Sequence, residues 1–300
     1  MTSSLSAVGL IGLGNAGLAL AGPLASHYRV IGYDLDGGRY AAAQRMGVQV
    51  AECSAEVADA CEVILFSLPT PDASLAAARS LTNGNMAGRL LIETSTVAPA
   101  DVFQLQSLLR EHGASVMDAA IVGGVHKLAA GHTTFLVGGS DEQIRRAKSV
   151  LSVAAEEIFH LGDVGSGMRA KLVNNAVAHT TMVMLLESAT LAARAGIPMD
   201  VFYKLMARES GLMRPLTHRF GERIRDQDFD GGMPTANARK DSALALEMGR
   251  ELGVPLFTLQ ASHVVYEMAR SHDLDRLDYA AISRLFESWA DVEFRWKNEA

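Results

Sequence analysis

The chain has 300 residues, 49% hydrophobic and 20% charged, with a formal net charge of −7. That length exceeds the usual single core, so two domains are expected, and the acidic balance without a dense Lys/Arg run excludes a nucleic-acid surface. Cys53 and Cys61, the two cysteines, form no metal-ligand pattern with the nine histidines, so no metal is expected; both read as buried small hydrophobes in a reducing, cytoplasmic setting.

The N-terminus has no basic region ahead of its apolar stretch, so a secretory leader is not expected. Residues 7–11, 30–33, 63–67 and 90–93 read as buried parallel strands, with 115–117 and 134–137 as further strands. Alanine-rich helical patterns such as 16–26 and 101–112 separate them. This alternation is the pattern of a doubly wound α/β sheet. After Gly162 strand patterns stop, and helical periodicity continues with breaks at Gly196-Ile197-Pro198, Asp230-Gly231-Gly232 and Gly253-Val254-Pro255. The expected architecture is a Rossmann-like doubly wound parallel sheet over residues 1–163, joined by a long helix to an all-α domain over 164–300. The apolar stretch 176–195 is interrupted by His179, Thr180, Thr181, Glu187 and Arg194. It reads as a helix packed on all sides inside protein rather than a bilayer span, so no membrane is expected. His179, His263, Met182 and Met184 read as packing residues.

Gly12-Leu13-Gly14-Asn15-Ala16-Gly17 matches G-x-G-x-x-G between an expected strand and an expected helix. The first glycine permits the tight turn, the second lets the backbone approach a pyrophosphate, and the third lets helix and strand pack closely. Asp34 follows twenty residues after Gly14, at the end of the second strand, where a carboxylate accepts the adenosine ribose hydroxyls and repels a 2′-phosphate. Leu35 and Asp36 come next, with no Arg at the following position. NAD is therefore favoured over NADP, with Arg39 the residue able to reverse that choice. Further on, Lys171 and Asn175 stand four apart after Gly165-Ser166-Gly167. On a helix they share one face, an amine beside an amide, next to a glycine turn expected to leave room for a ligand.

These motifs resemble the β-hydroxyacid dehydrogenases, the group holding 3-hydroxyisobutyrate dehydrogenase, tartronate semialdehyde reductase and shorter relatives of 6-phosphogluconate dehydrogenase. The resemblance runs through Gly9-Leu10-Ile11-Gly12-Leu13-Gly14, Leu68-Pro69 and Glu93-Thr94-Ser95-Thr96-Val97-Ala98-Pro99, which is similar to a D-x-S-T-x-x-P segment. It continues through Asp118-Ala119-Ala120-Ile121-Val122-Gly123-Gly124, similar to a D-A-P-V-S-G-G substrate loop, the Gly165–Asn175 catalytic segment, and Lys240-Asp241 on a K-D-L-x-L-A-L helix. The resemblance implies that Leu68, Pro69 and Thr96 line the nicotinamide side of the groove, and that Lys240 closes the site. It implies Lys171 as general acid/base, Asn175 orienting the substrate hydroxyl, and main-chain N–H groups of Gly123 and Gly124 holding a substrate carboxylate beside Val122. It also implies a homodimer or homotetramer.

The substrate loop departs from the pattern: Val122 replaces the serine, Ala120 the proline, and His126, Lys127 and Leu128 follow the glycines. Two readings stay open, a more apolar pocket with His126 and Lys127 facing solvent, or a re-specified pocket in which one of them binds an anion. Weaker candidates are Arg208, Ser210, Arg214 and His218, of which Arg214 pairs at a surface or between helices more readily than it binds a carboxylate. The expected function is hydride transfer between NAD(P) and a small 3-hydroxy acid or its semialdehyde. Two alternatives keep the fold: a non-catalytic nicotinamide-binding regulator, and an imine-reductase-like enzyme, against which Lys171 argues because that group usually lacks the lysine.

Overall fold

The computed structural model describes residues 5–208 and 211–296. Eight strands, β1 (Ala7–Ile11), β2 (Arg29–Tyr33), β3 (Val48–Val50), β4 (Val63–Phe66), β5 (Leu90–Glu93), β6 (Ser115–Val122), β7 (Thr133–Gly138) and β8 (Ala155–His160), form one sheet in the order β3-β2-β1-β4-β5-β6-β7-β8. Every pairing is parallel except β6 with β7. Between the strands run α1 (Asn15–Ala25), α2 (Tyr40–Arg45), α3 (Ser54–Ala60), α4 (Pro71–Leu81), α5 (Pro99–Arg110), α6 (Gly124–Ala129) and α7 (Asp141–Leu151).

Strand alternation sorts the core into two layers. Val8, Leu10, Val63, Leu65, Leu90 and Ile92 pack on one face, whereas Ala7, Ile11, Ile64, Phe66 and Leu91 pack on the other. All residues of β1, β4 and β5 are buried, as expected of parallel strands covered on both sides. Strands β3 and β8 are not legible as strands: β3 has three residues, and β8 carries Glu156 and Glu157 on a half-exposed edge. The 115–117 run extends to Val122 because Asp118, which ends the apolar pattern, is itself buried. Cys61 is buried, but Cys53 is exposed just before α3, which corrects its reading as a core residue.

Helix α8 (Ser166–Arg194) carries the chain onward, followed by α9 (Met199–Met206), a π-helical segment (Pro215–Ile224), α10 (Thr235–Leu252), α11 (Phe257–Arg270) and α12 (Ser283–Ala290). The chain divides into two compact units between Ala176 and Val177, inside α8. The second unit has its own core of Ile224, Phe229, Ala269, Leu274, Ala281 and Leu285. There the buried Asp278 accepts the Met233 and Ala280 N–H groups at 3.0 Å and the Arg219 guanidinium at 3.2 Å. His263 packs through Ser242, 2.8 Å away, and His218 pairs with Glu222. Arg214 is exposed, and Ser210 lies outside the described residues.

Helix α8 is long and apolar enough to cross a membrane by length and composition alone. It is not packed on all sides as its sequence implies. Val173, Val177, Met182, Val183 and Leu186 are exposed, from 45% to 67%, and so is His179. Apolar residues of α8 thus remain uncovered by this chain.

Candidate active site

The loop after β1 is built from three glycines with different duties. Gly12 has φ 97°, and a Cβ there would stand 2.1 Å from the Ser67 carbonyl oxygen of the loop after β4. A Cβ on Gly17 would stand 2.0 Å from the Gly12 carbonyl oxygen. Both positions are closed by backbone. Gly14 is different: nothing lies within 4 Å of its Cβ position, which opens onto a cavity of about 800 Å³. Helix α1 begins there without a side-chain cap and without an acidic residue in its first turn. Its leading N–H groups and partial positive charge thus face the cavity beside Gly14, Asn15 and Ala16, an arrangement suited to a pyrophosphate.

Asp34 lines the same cavity. Its carboxylate accepts the Leu13 N–H at 2.6 Å and the Asp36 N–H at 2.8 Å, one on each oxygen. Those bonds fix its direction and leave lone pairs for ribose hydroxyls. The buried Leu13 does not line the cavity; its main chain ties the glycine loop to Asp34. Arg39 borders the cavity and pairs with Asp36 at 3.4 Å.

Leu68, Pro69, Ser95 and Thr96 form a second part of the wall. Two loops are zipped together here. The Ser95 hydroxyl accepts the Leu68 N–H at 2.8 Å, and the Thr94 hydroxyl donates to the Phe66 carbonyl at 2.5 Å. Ser95 is held in turn by Glu93, whose Oε1 accepts its N–H at 2.8 Å. Sequence reasoning includes Ser95 and Glu93 in the Glu93–Pro99 segment but gives neither a role. The signal that finds them is the polar run Glu93-Thr94-Ser95-Thr96 at the end of a buried apolar strand.

Lys171 reaches the cavity from α8 together with Ile121, Gly124, Val125 and Leu128. Asp118, fully buried on β6, accepts the Gly165 N–H at 2.6 Å and the Met168 N–H at 2.7 Å, so it anchors the first turn of α8. One turn later the Lys171 ammonium donates to the Ile121 carbonyl, 2.7 Å away on the same strand. Lys171 is half-buried, and burial lowers its pKa because the charged form loses hydration. The Gly165 and Gly167 turn leaves no room for a ligand, contrary to the expectation from its sequence. Gly165 has φ 89° with Phe103 against it, and a Cβ on Gly167 would stand 2.3 Å from the Leu136 carbonyl oxygen. These glycines let α8 sit directly on the sheet.

Several other expected site residues are not among those that line the cavity. Asn175 is one turn beyond Lys171, outside the cavity lining, with its carbonyl oxygen 3.5 Å from the Asn174 amide. Val122 and Gly123 are also outside it; the Val122 carbonyl accepts the buried Thr133 hydroxyl at 2.9 Å. Gly124 faces the cavity with φ 78° and open space at its Cβ position. The residues read as a loop after it form helix α6, whose Leu128 anchors it in the core while His126 and Lys127 are exposed outside the lining. Lys240, on α10 in the second unit, is exposed and pairs with Asp241 at 2.8 Å. Among the described residues no group of His, Cys, Asp or Glu is placed to hold a metal ion.

Residues 7–162 match the family described as the NAD binding domain of 6-phosphogluconate dehydrogenase, and residues 165–286 that described as the NAD-binding of NADP-dependent 3-hydroxyisobutyrate dehydrogenase. The chain belongs to the β-hydroxyacid dehydrogenase family. Its cofactor is a nicotinamide dinucleotide. Within that family it is 29% identical to a 2-(hydroxymethyl)glutarate dehydrogenase of Eubacterium barkeri, over 95% of this chain and 96% of the relative. A solved Mycobacterium tuberculosis 3-hydroxyisobutyrate dehydrogenase with L-serine is 26% identical, with a TM-score of 0.64 over 94% of this chain and 99% of that one. An imine reductase from a Pseudomonas species superposes with a TM-score of 0.85 at 23% identity, over 94% and 100% of the two chains, a likeness of fold alone.

Proposed function

We propose that this family member is a nicotinamide-dependent dehydrogenase of a small 3-hydroxy acid, or a reductase of the matching semialdehyde, with Lys171 as the proton carrier. The observation that carries the reading is the Lys171 amine: half-buried, in the cavity wall, and aimed by the Ile121 carbonyl. A nicotinamide dinucleotide held by the start of α1 and by Asp34 would supply the hydride acceptor or donor. In oxidation a neutral Lys171 accepts the hydroxyl proton; in reduction its ammonium returns it. Burial favours the neutral amine that oxidation needs. The Gly124 main chain, open towards the cavity, is the proposed seat of the substrate carboxylate, with Gly123 beside it. The Eubacterium relative's named substrate carries its hydroxyl on the carbon β to a carboxylate, which supports the same substrate class here.

NAD is the proposed cofactor in preference to NADP. Asp34 lines the cavity with a carboxylate that would repel a 2′-phosphate, the exposed Leu35 follows it, and Arg39 pairs with Asp36. A homo-oligomer is also proposed, supported by the uncovered apolar residues of α8. The deciding experiment follows the reduced-nicotinamide absorbance band with NAD and NADP over a panel of 3-hydroxy acids. Turnover with at least one acid, faster with NAD, is expected. Cofactor binding without turnover of any acid would instead indicate a nicotinamide-binding regulator.

A further inference from the structure

Two buried carboxyl groups stand side by side behind the cavity wall. Glu93 on β5 and Asp118 on β6 are register partners on parallel strands, so their side chains leave the same face of the sheet. Each is fully buried. Asp118 takes two main-chain N–H groups at the start of α8, at 2.6 and 2.7 Å, where the helix dipole also favours negative charge. Glu93 takes one, from Ser95, on Oε1. Its Oε2 and the buried hydroxyl of Ser74 on α4 have no partner at hydrogen-bond distance, although that hydroxyl lies against the carboxyl group and, with the Ser95 side chain, lowers its pKa.

An ionised carboxylate oxygen buried without a donor is costly, and two adjacent buried charges of one sign add repulsion. The groups that face Glu93 are Asp118 from β6, Ser74 from α4 and Ser95 from the loop beyond β5; the charged one among them is Asp118. Burial raises the Asp118 pKa as well, but main-chain N–H groups, those of Gly165 and Met168 foremost, oppose it. Of the pair, Asp118 therefore has the donors to hold the charge, and Glu93 holds the proton, with the Ser74 hydroxyl against it able to accept. Burial, opposed by the hydrogen bonds of Ser95 and Ser74 and reinforced by Asp118, pushes Glu93 up to about 7.

We propose that Glu93 is a positioning residue that works as a neutral carboxylic acid. It holds Ser95, and through the Ser95 hydroxyl the Leu68 N–H, in the wall of the cofactor cavity, and it leaves the charge on Asp118 beneath α8. The role in cofactor binding rests on the nicotinamide reading of that cavity; the protonation state does not. It also gives a reason for the departure at this position, where the D-x-S-T-x-x-P pattern has an aspartate. The longer glutamate reaches Ser95 with one oxygen and carries a proton towards α4 with the other.

The test uses the full-length protein and three variants, Glu93→Gln, Glu93→Asp and Glu93→Ala. Infrared difference spectra at about pH 6 are expected to show a protonated-carboxyl C=O stretch in the wild type that Glu93→Gln removes. If the spectra show no such band, the proposal is overturned. NADH fluorescence titration is expected to give Glu93→Gln a Kd within about twofold of wild type and Glu93→Ala one about tenfold weaker. Between about pH 6 and about pH 8 the wild-type Kd should rise several-fold and that of Glu93→Gln stay flat, since only the acid ionises. A Glu93→Gln that binds tenfold weaker, or that keeps the wild-type pH dependence, also overturns it. Glu93→Asp, too short to serve both neighbours, is expected to fall between Gln and Ala; an Asp variant equal to wild type in Kd and pH dependence counts against the role of length. Should Glu93→Ala fail to fold, the Gln arm decides. None of these readouts needs turnover, so a protein that oxidises no hydroxy acid would remove the dehydrogenase reading and leave this one standing or falling by itself.

Discussion

In residues 1–176 the apolar strands find cover within the chain: every residue of β1, β4 and β5 is buried between two helical layers. Helix α8, which begins on that sheet, behaves otherwise. Met168 in its first turn is buried, yet Val173, Val177 and Leu186 further along are 42–67% exposed together with Leu172. The difference lies in what each stretch touches. The start of α8 is bound to the sheet by polar contacts with Asp118 and Ile121, and its middle carries an apolar surface that this chain leaves open. Chemistry is proposed at the first part and assembly at the second, and mutations can separate them.

The largest effect is expected at Lys171. Lys171→Ala should lower kcat by about 10²–10⁴-fold while NADH still binds, because the pyrophosphate and ribose contacts lie at α1 and Asp34. Lys171→Arg should be as inactive in oxidation, since a guanidinium does not give up its proton. In the wild type, oxidation should quicken as pH rises and level off once the amine is neutral, at a pH below the ordinary lysine value because burial lowers it. Steady-state rates against pH, with NADH titrations on each variant, check this. A Lys171→Ala enzyme with near-normal kcat would remove the proton-carrier role.

The site was partly legible before the structure, and the division has a physical basis. Gly12, Gly14, Asp34 and Lys171 could be read because each serves a local rule: a turn, a helix start, a strand end, a helix face. Asp118 and Glu93 could not, since their importance comes from which N–H groups a distant segment brings to them; Gly165 is 47 residues from Asp118. The glycines of Gly165-Ser166-Gly167 were legible as special but not as to why, because their close neighbours are a carbonyl on β7 and a ring on α5. Helix α8 is legible as a helix but not in its burial. Its apolar content is visible in sequence, but whether that surface is covered by the same chain is not a local property. Edge strands β3 and β8 were missed because short or charged strands lack the apolar run that marks the central ones.

A middle-sized effect separates fold from cofactor within the glycine loop. Gly12→Ala places a Cβ 2.1 Å from the Ser67 carbonyl oxygen at φ 97°, so a loss of about 2–4 kcal/mol in unfolding free energy is expected, read by denaturant titration. Gly14→Ala has φ −71° and open space, so stability should change by less than about 1 kcal/mol. Its methyl group nevertheless enters the cavity beside the start of α1, and the NADH Kd should rise by about tenfold. Equal destabilisation by the two substitutions would mean that Gly14 is as tightly enclosed as Gly12, and the proposed pyrophosphate seat would have no space.

The smallest effect on the individual chain, and the sharpest on the comparison, is expected from charge placed on the middle of α8. Val177 is 64% exposed and Leu186 55%, so Val177→Glu with Leu186→Glu removes little packing inside the chain, and its thermal unfolding as a monomer should shift by only a few degrees. If a second copy covers this surface, two carboxylates per chain must be desolvated there, and the oligomer should weaken by at least about tenfold. Light scattering after size exclusion reads the mass directly. NADH binding to the dispersed chain then asks whether one copy keeps its cofactor site without a partner; the cavity lining of that copy falls within residues 11–171. A double variant that stays assembled would show that these exposed apolar residues of α8 are not what joins the copies. A wild type already monomeric would show that the apolar surface has another purpose, and the contrast between buried strands and open helix would then need a different cause.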